Sequence, residues 1–186
     1  MAVQLQRRLL TTDDYHLLLR AGSLGEDDRL ELIEGEIIEM SPISPEHAAR
    51  VKRLAELFHD AVRKRAIVSV QDPILAGEHS EPQPDVALLR PRADYYAKSH
   101  PGPEDVLLVV EIAETSVDYD RNVKMRLYAR AGVPEAWLVS LPDQWIEVYQ
   151  DPSPVGYLSM RRVLPGVSVA PQAFPDAAVA VSEILE

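Results

Sequence analysis

The sequence predicts an α/β or α+β domain, with a central mixed β-sheet flanked by helices. Three observations carry that expectation. Two segments, opening near Ser44 and Asp120, repeat apolar residues at helical spacing. About seven short runs have strand character between turn signals. One of these, Val106–Ile112, is apolar on both faces, the pattern of a central strand covered from two sides. With 186 residues, 20.8 kDa, no repeat and no Gly/Ser linker, the chain is expected to form one domain over residues 1–186.

Each element has its own signal. Thr12-Asp13-Asp14 followed by Tyr15, Leu18 and Leu19, and then Gly22, reads as a short capped helix. Arg29 to Met40 reads as two strands, LELI and EIIEM, with a tight turn at Glu34-Gly35. Helix and hairpin make an N-terminal part over residues 12–40. Ser44-Pro45-Glu46 opens a helix with proline at its first position, and Val51, Leu54, Ala55, Phe58, Ala61 and Val62 form its buried stripe. Strands are expected at Ala66–Val70, Pro84–Leu89 and Val106–Ile112. A helix fits Asp120–Ala131, capped by Asp118 or Asp120, with Val123, Leu127 and Tyr128 on one side and Gly132 and Pro134 as the stop. Ala136–Ser140, Trp145–Gln150 and Tyr157–Val163 follow as strands, the first two joined by a turn at Pro142-Asp143. These complete a core over 41–165. A tail over 166–186 holds one short helix between Phe174 and Leu185.

Composition removes several function classes. There are no cysteines, which excludes disulfides, thiolate zinc sites, iron–sulfur clusters and cysteine nucleophiles. Five scattered histidines with no HxH or HExxH spacing make no case for zinc. Ser116 has no histidine near it in sequence, so a serine triad is unsupported. The start MAVQLQRRLL lacks the apolar core of a signal peptide, and the longest apolar run, Val106–Val110, is far too short to span a membrane. The expectation is a cytoplasmic protein without membrane contact. A formal charge of −11 argues against a broad nucleic-acid-binding coat and leaves room only for a local basic site. Arg121, Lys124, Arg126 and Arg130 supply one candidate, and Arg50, Lys52, Arg53, Arg63, Lys64 and Arg65 another.

The most informative residue is an acid out of place. Glu111 ends the apolar run VLLVV, where a lone carboxylate is costly without compensation. Either it lies at an exposed strand end, or it is a metal ligand at the carboxyl end of a sheet. Asp85, at the entry to another strand in Pro84-Asp85-Val86, supports the second reading. The two carboxylates are hard oxygen ligands suited to Mg²⁺.

Pro84-Asp85 followed by Glu111-Ile112-Ala113 resembles the PD-(D/E)XK pattern of restriction-endonuclease-like nucleases. More closely, the chain resembles the Uma-two family through ELIEGEIIEMSPISPEH, PQPDVALL, VLLVVEIAETSVDYDRNVKMRLYARAGVPEAWLV and IEVYQ, over roughly residues 12 to 165. Ala113 stands where the superfamily pattern has its lysine. The Uma-two resemblance points instead to Lys124, on the following helix. It implies a restriction-endonuclease-like core and a divalent-metal-dependent endonuclease that hydrolyses phosphodiester bonds in nucleic acid, DNA foremost. Asp85, Glu111 and a backbone carbonyl near Ile112 would hold Mg²⁺ or Mn²⁺. Lys124 would orient or help deprotonate a water and offset negative charge, with Glu31 as an auxiliary ligand through water.

Each assignment has a plainer competitor. Lys124 could be a surface lysine paired with Asp120 at i,i+4. Residues 26–39 carry seven acids and one base, so Glu31 and Glu34 could simply be solvated. His47, in the first turn of its helix, could touch a phosphate or only be hydrogen-bonded. Tyr128 shares a helical face with Lys124 and could be core. The competing function is a non-catalytic protein-interaction module with an inactive nuclease-like fold; a third is a hydrolase of small phosphate esters. Trp137, Trp145, Ile146 and Tyr149, near a late strand pair, are expected to exceed what one monomer covers, which predicts a homodimer.

Overall fold

Local chemistry sets the N-terminal elements of the computed structural model, which describes residues 7–25 and 28–186. Helix α1 (Thr12–Arg20) opens on a capping box: the Thr11 hydroxyl accepts from Asp14 N and the Asp14 carboxylate accepts from Thr11 N, each at 3.1 Å. Strands β1 (Leu30–Ile33) and β2 (Glu36–Glu39) pair antiparallel across Glu34-Gly35, whose φ angles of 51° and 82° suit a tight hairpin turn. A Cβ on Gly35 would meet the Leu9 Cβ at 2.5 Å, so glycine serves both the turn and a close approach. Helix α2 (Pro45–Val62) starts where Ser44 accepts from His47 N, and it buries Val51, Leu54, Ala55, Phe58 and Val62.

The sheet strands are β3 (Ile67–Val70), β4 (Val86–Leu89), β5 (Val106–Ala113), β6 (Glu135–Ser140), β7 (Trp145–Ser153) and β8 (Gly156–Val163). They lie in sequence order across the sheet, antiparallel except for the parallel pair β5–β6. A parallel pair needs a crossover. It is a helical segment in three pieces: α3 (Val117–Tyr119), a π-helical turn (Asp120–Lys124) and α4 (Met125–Ala131). Gly132, with φ 86°, closes it. After the sheet, β9 (Ser168–Val169) pairs with β10 (Val179–Ala180), and α5 (Val181–Leu185) ends the chain.

Alternation along β5 divides the core. Leu108, Val110 and Ile112 face α2 and α5, together with Val86, Leu88, Trp137 and Phe58. Val109 and Ala113 face α4, with Ala87, Leu138, Met125 and Tyr128. The fold is therefore the mixed central sheet flanked by helices that the sequence predicts. No helix among the described residues is long and apolar enough to cross a membrane.

Three expectations need correction. The crossover helix starts at Val117, not Asp120, and neither Asp118 nor Asp120 caps it: the N-cap is Ser116, without a side-chain cap bond. The predicted strand Pro84–Leu89 begins only at Val86: Pro84 has no N–H to donate, and the Asp85 carbonyl accepts from Gln71 N beyond the end of β3. Trp137, Trp145 and Ile146 are covered within one chain, at 0%, 5% and 0% exposure, so they supply no reason for a dimer. Phe58 lies against Trp137 at 5.7 Å between centroids, while Arg121 and Arg162 lie over Trp145.

Glu147 ties the crossover to the sheet. Its carboxylate accepts from Arg121 at 3.1 and 3.3 Å, from Arg162 at 2.7 Å and from the Tyr149 hydroxyl at 2.6 Å. Burial works to raise its pKa, but these donors outweigh it and hold the carboxyl below its ordinary 4.5. A lowered folded-state pKa contributes stability above the unfolded value, and that contribution fades as pH falls through the folded one. Glu147→Gln is expected to cost about 1–3 kcal/mol at pH 7. The gap to the parent should narrow steadily below pH 4.5, as read by urea unfolding across that range.

Candidate active site

A cleft of about 410 Å³ opens beside the carboxyl end of β5, and it contains the acids singled out by the sequence. Val86 pairs with Val110, so Asp85, one residue outside the β4 ladder, reaches the level of Glu111 on the neighbouring strand. Both line the cleft, as does Ile112. Asp85 is fastened there. Its Oδ2 accepts from Ile112 N at 2.8 Å, and its Oδ1 meets His47 Nε2 at 2.8 Å and Gln71 Nε2 at 3.2 Å. The hydrogen bond to Asp85 raises the His47 pKa against the opposing effect of burial.

Glu111 is 3% exposed, which rules out the exposed strand end. Its Oε1 accepts from the Tyr128 hydroxyl at 2.5 Å and lies 3.3 Å from Lys124 Nζ. Burial pushes its carboxyl well above the usual range; Lys124 pulls it down, and Asp120, Asp85 and Glu31 push it further up.

Lys124 is buried, and its amine donates to Glu31 Oε1 at 2.8 Å. The surface pair with Asp120 is thereby overturned. Asp120 is itself buried and accepts from Ser116 Oγ at 2.5 Å. The π turn explains this: Met125 N donates to Asp120 O, five residues back. The extra residue turns both Asp120 and Lys124 into the cleft. Burial lowers the Lys124 pKa, but Glu111, Glu31 and Asp120 more than reverse it, so the amine keeps its proton. Burial likewise raises Asp120.

Glu31 is not solvated. The hairpin carries it inward to 2% exposure, where Oε1 also accepts from Gln83 N at 2.8 Å. His47 and Tyr128 both belong to this constellation, and Tyr128 is core as well, at 0% exposure. Glu34 does not belong: at the turn, it pairs on the surface with Arg130. Asp120 and Gln83 were not singled out as site residues by the sequence. Asp120 reads as a helix cap, and nothing local to Gln83 marks its backbone N–H as a donor.

Of the two candidate basic sites, the one on the crossover does not assemble, while most of the one on α2 stays exposed. Arg121 is committed to Glu147, Arg130 to Glu34 and Arg65 to Asp176, and Lys124 is buried. Arg126, Lys52, Arg53, Arg63 and Lys64 remain exposed.

Residues 12–182 match the Uma2 family model, described as "Putative restriction endonuclease". The fold is similar to the crystal structure of a putative nuclease belonging to DUF820 from Anabaena variabilis, with a TM-score of 0.74 at 18% identity, covering 95% of this chain and 97% of that one. No curated protein gives a significant match.

The Tyr128 hydroxyl is the one neutral donor to Glu111 Oε1 among these contacts. Tyr128→Phe keeps the ring and removes that donor. It should lower stability by about 1–3 kcal/mol in urea unfolding at pH 7, with unchanged far-UV circular dichroism.

Proposed function

The chain belongs to the Uma2 family, and from that premise we propose a divalent-metal-dependent endonuclease that hydrolyses phosphodiester bonds in nucleic acid, DNA foremost, in the cytoplasm. The observation that carries this reading is an excess of buried negative charge. Glu31, Asp85, Glu111 and Asp120 are four buried carboxylates that share one buried ammonium, Lys124. Desolvated carboxylates in that excess call for a further cation. Hard oxygen donors at a cleft suit Mg²⁺ or Mn²⁺.

Asp85 and Glu111 would hold the ion, with the carbonyl of Ile112 beside them. When bound, the ion supplies Lewis-acid stabilisation of a phosphoryl oxygen and acidifies a water. The remaining work falls to the chain's own groups. Lys124, with its proton retained, orients a water or phosphate oxygen and offsets developing negative charge. Of the two roles expected for it, charge and orientation are kept and proton abstraction is set aside. Glu31 holds the ammonium in place, and the Tyr128 hydroxyl fixes the orientation of Glu111. His47 braces Asp85 from the α2 side and would meet a phosphate bound in the cleft. A bound divalent ion together with Lys124, not a basic coat, would attract nucleic acid to an acidic protein.

The buried Lys124–Glu31–Glu111 cluster is also what a non-catalytic interaction module would contain, so the test separates the two. A cleavage assay with Mg²⁺ or Mn²⁺ on plasmid, linear and single-stranded substrates should show activity that Asp85→Asn abolishes together with metal binding. Lys124→Ala should cut the rate by roughly 10²-fold or more while ion binding survives. Circular dichroism must show that the variant is folded at the assay temperature, because stranding Glu31 and Glu111 is expected to cost about 3–5 kcal/mol. A parent protein that neither binds the ion nor cleaves would favour the module, whereas a folded Lys124→Ala that cleaves at the parent rate would refute the role given to Lys124.

The proposal retains a two-fold homodimer, with its surface moved to the sheet edge. β8 is the terminal strand, and Leu158 and Met160 on it are 74% and 53% exposed. An open strand edge bearing apolar side chains is a template for a second copy. Light scattering should give twice 20.8 kDa, and Leu158→Lys should return the protein to 20.8 kDa.

A further inference from the structure

Away from the cleft, three residues distant in sequence bring metal-ligating atoms together. His16 lies on α1, Glu81 on the loop before β4, and His100 on the loop before β5. One ligand atom from each lies within 4.8 Å of the others. His16 Nε2 is 2.8 Å from Glu81 Oε2, and His100 Nε2 is 4.0 Å from Glu81 Oε1. The two imidazole centroids are 6.1 Å apart.

The state of Glu81 points to a ligand. The residue is 4% exposed, yet its Oε2 accepts no hydrogen bond, since His16 Nε2 is close without being aligned for one. A buried carboxylate oxygen without an aligned donor is costly to keep, and a bound cation would satisfy it. The backbone around it is held firmly. Glu81 N donates to Leu32 O at 2.7 Å, Thr12 N to Glu78 O at 2.8 Å, and Leu75 N to Pro101 O at 2.9 Å. Three donors on three anchored segments are the arrangement that a binding site needs.

We propose that His16, Glu81 and His100 form a second metal site, selective for a borderline transition-metal ion such as Zn²⁺. Two imidazole nitrogens and one carboxylate suit zinc, cobalt or nickel and not Mg²⁺, which takes oxygen donors. Tetrahedral zinc with bonds of about 2.0–2.2 Å spaces its ligand atoms at roughly 3.3 Å. The 2.8 and 4.0 Å contacts go to the two different Glu81 oxygens, so the carboxylate and the imidazoles, whose ligand atoms already lie within 4.8 Å of one another, would reorient around one ion. Three protein ligands leave a coordination position for water, and the exposed edges of His16 and His100, 31% and 43% accessible, give the ion a way in. Histidine spacing in the sequence makes no case for zinc because the donors come from three segments. An ion here would tie α1 to the loop that leads into Gln83 and Asp85.

The test runs on the full chain with Asp85→Asn introduced and Mg²⁺ in excess, so that the nuclease-like cleft does not contribute and failure of one site leaves the other untouched. Calorimetric titration with Zn²⁺ should show one saturable equivalent, with a rise in melting temperature. Co²⁺ in its place should give visible d–d absorption. His16→Ala and His100→Ala, both at partly exposed positions, should each weaken Zn²⁺ by about 100-fold or more and abolish the cobalt spectrum. No saturable Zn²⁺ binding, or unchanged binding in both folded variants, would overturn the proposal.

Discussion

The buried ammonium of Lys124 is the constraint on which the cleft depends. It joins three elements with little else in common: the hairpin through Glu31, the central strand through Glu111 and the crossover helix through its own backbone. None of these carboxylates could stay charged so deep in the protein unaided, because desolvation of an isolated charge exceeds any packing gain. The ammonium is equally unable to remain there without them. Each charge makes the other affordable, so hairpin, strand and crossover have to arrive together.

The pairing leaves a surplus. One cation cannot balance Glu31, Asp85, Glu111 and Asp120; burial is the main cause that raises the Glu111 and Asp120 carboxyls, and the neighbouring acids add to it. A fold selected only for stability would replace such a cluster with apolar side chains of similar volume, often at no loss. Retention of the excess charge at the carboxyl end of a central strand is therefore better explained by chemistry than by packing.

The helical crossover performs the positioning. A regular α-helix would have made Asp120 and Lys124 neighbours at i,i+4, whereas across the π turn both line the cleft. One turn along, Arg121 locks the same segment to the sheet through Glu147. The Glu147 network thus holds, at the far side of the turn, the element that presents Lys124.

How much of this was legible follows from how far each signal reaches. Helix α2, the Glu34-Gly35 turn, the Gly132 stop and the doubly apolar β5 are written in spacings and residue types that act within a few positions, and the sequence alone determined them. Asp85 and Glu111 stood out for the same reason: each is an acid against an apolar strand background. What only the tertiary structure decided is which side chains meet. No residue type announces a π turn, so Asp120 read as a cap and Lys124 was open to a surface reading. Glu31 was a candidate with solvation as its plainer competitor, and its bond to Lys124 became visible only once the hairpin packed over the cleft. The coverage of Trp137 and Trp145, and the meeting of His16, Glu81 and His100, lay equally out of reach. Periodicity assigns a side chain to a face, but its partner on that face comes from another part of the chain, and only packing brings the two together.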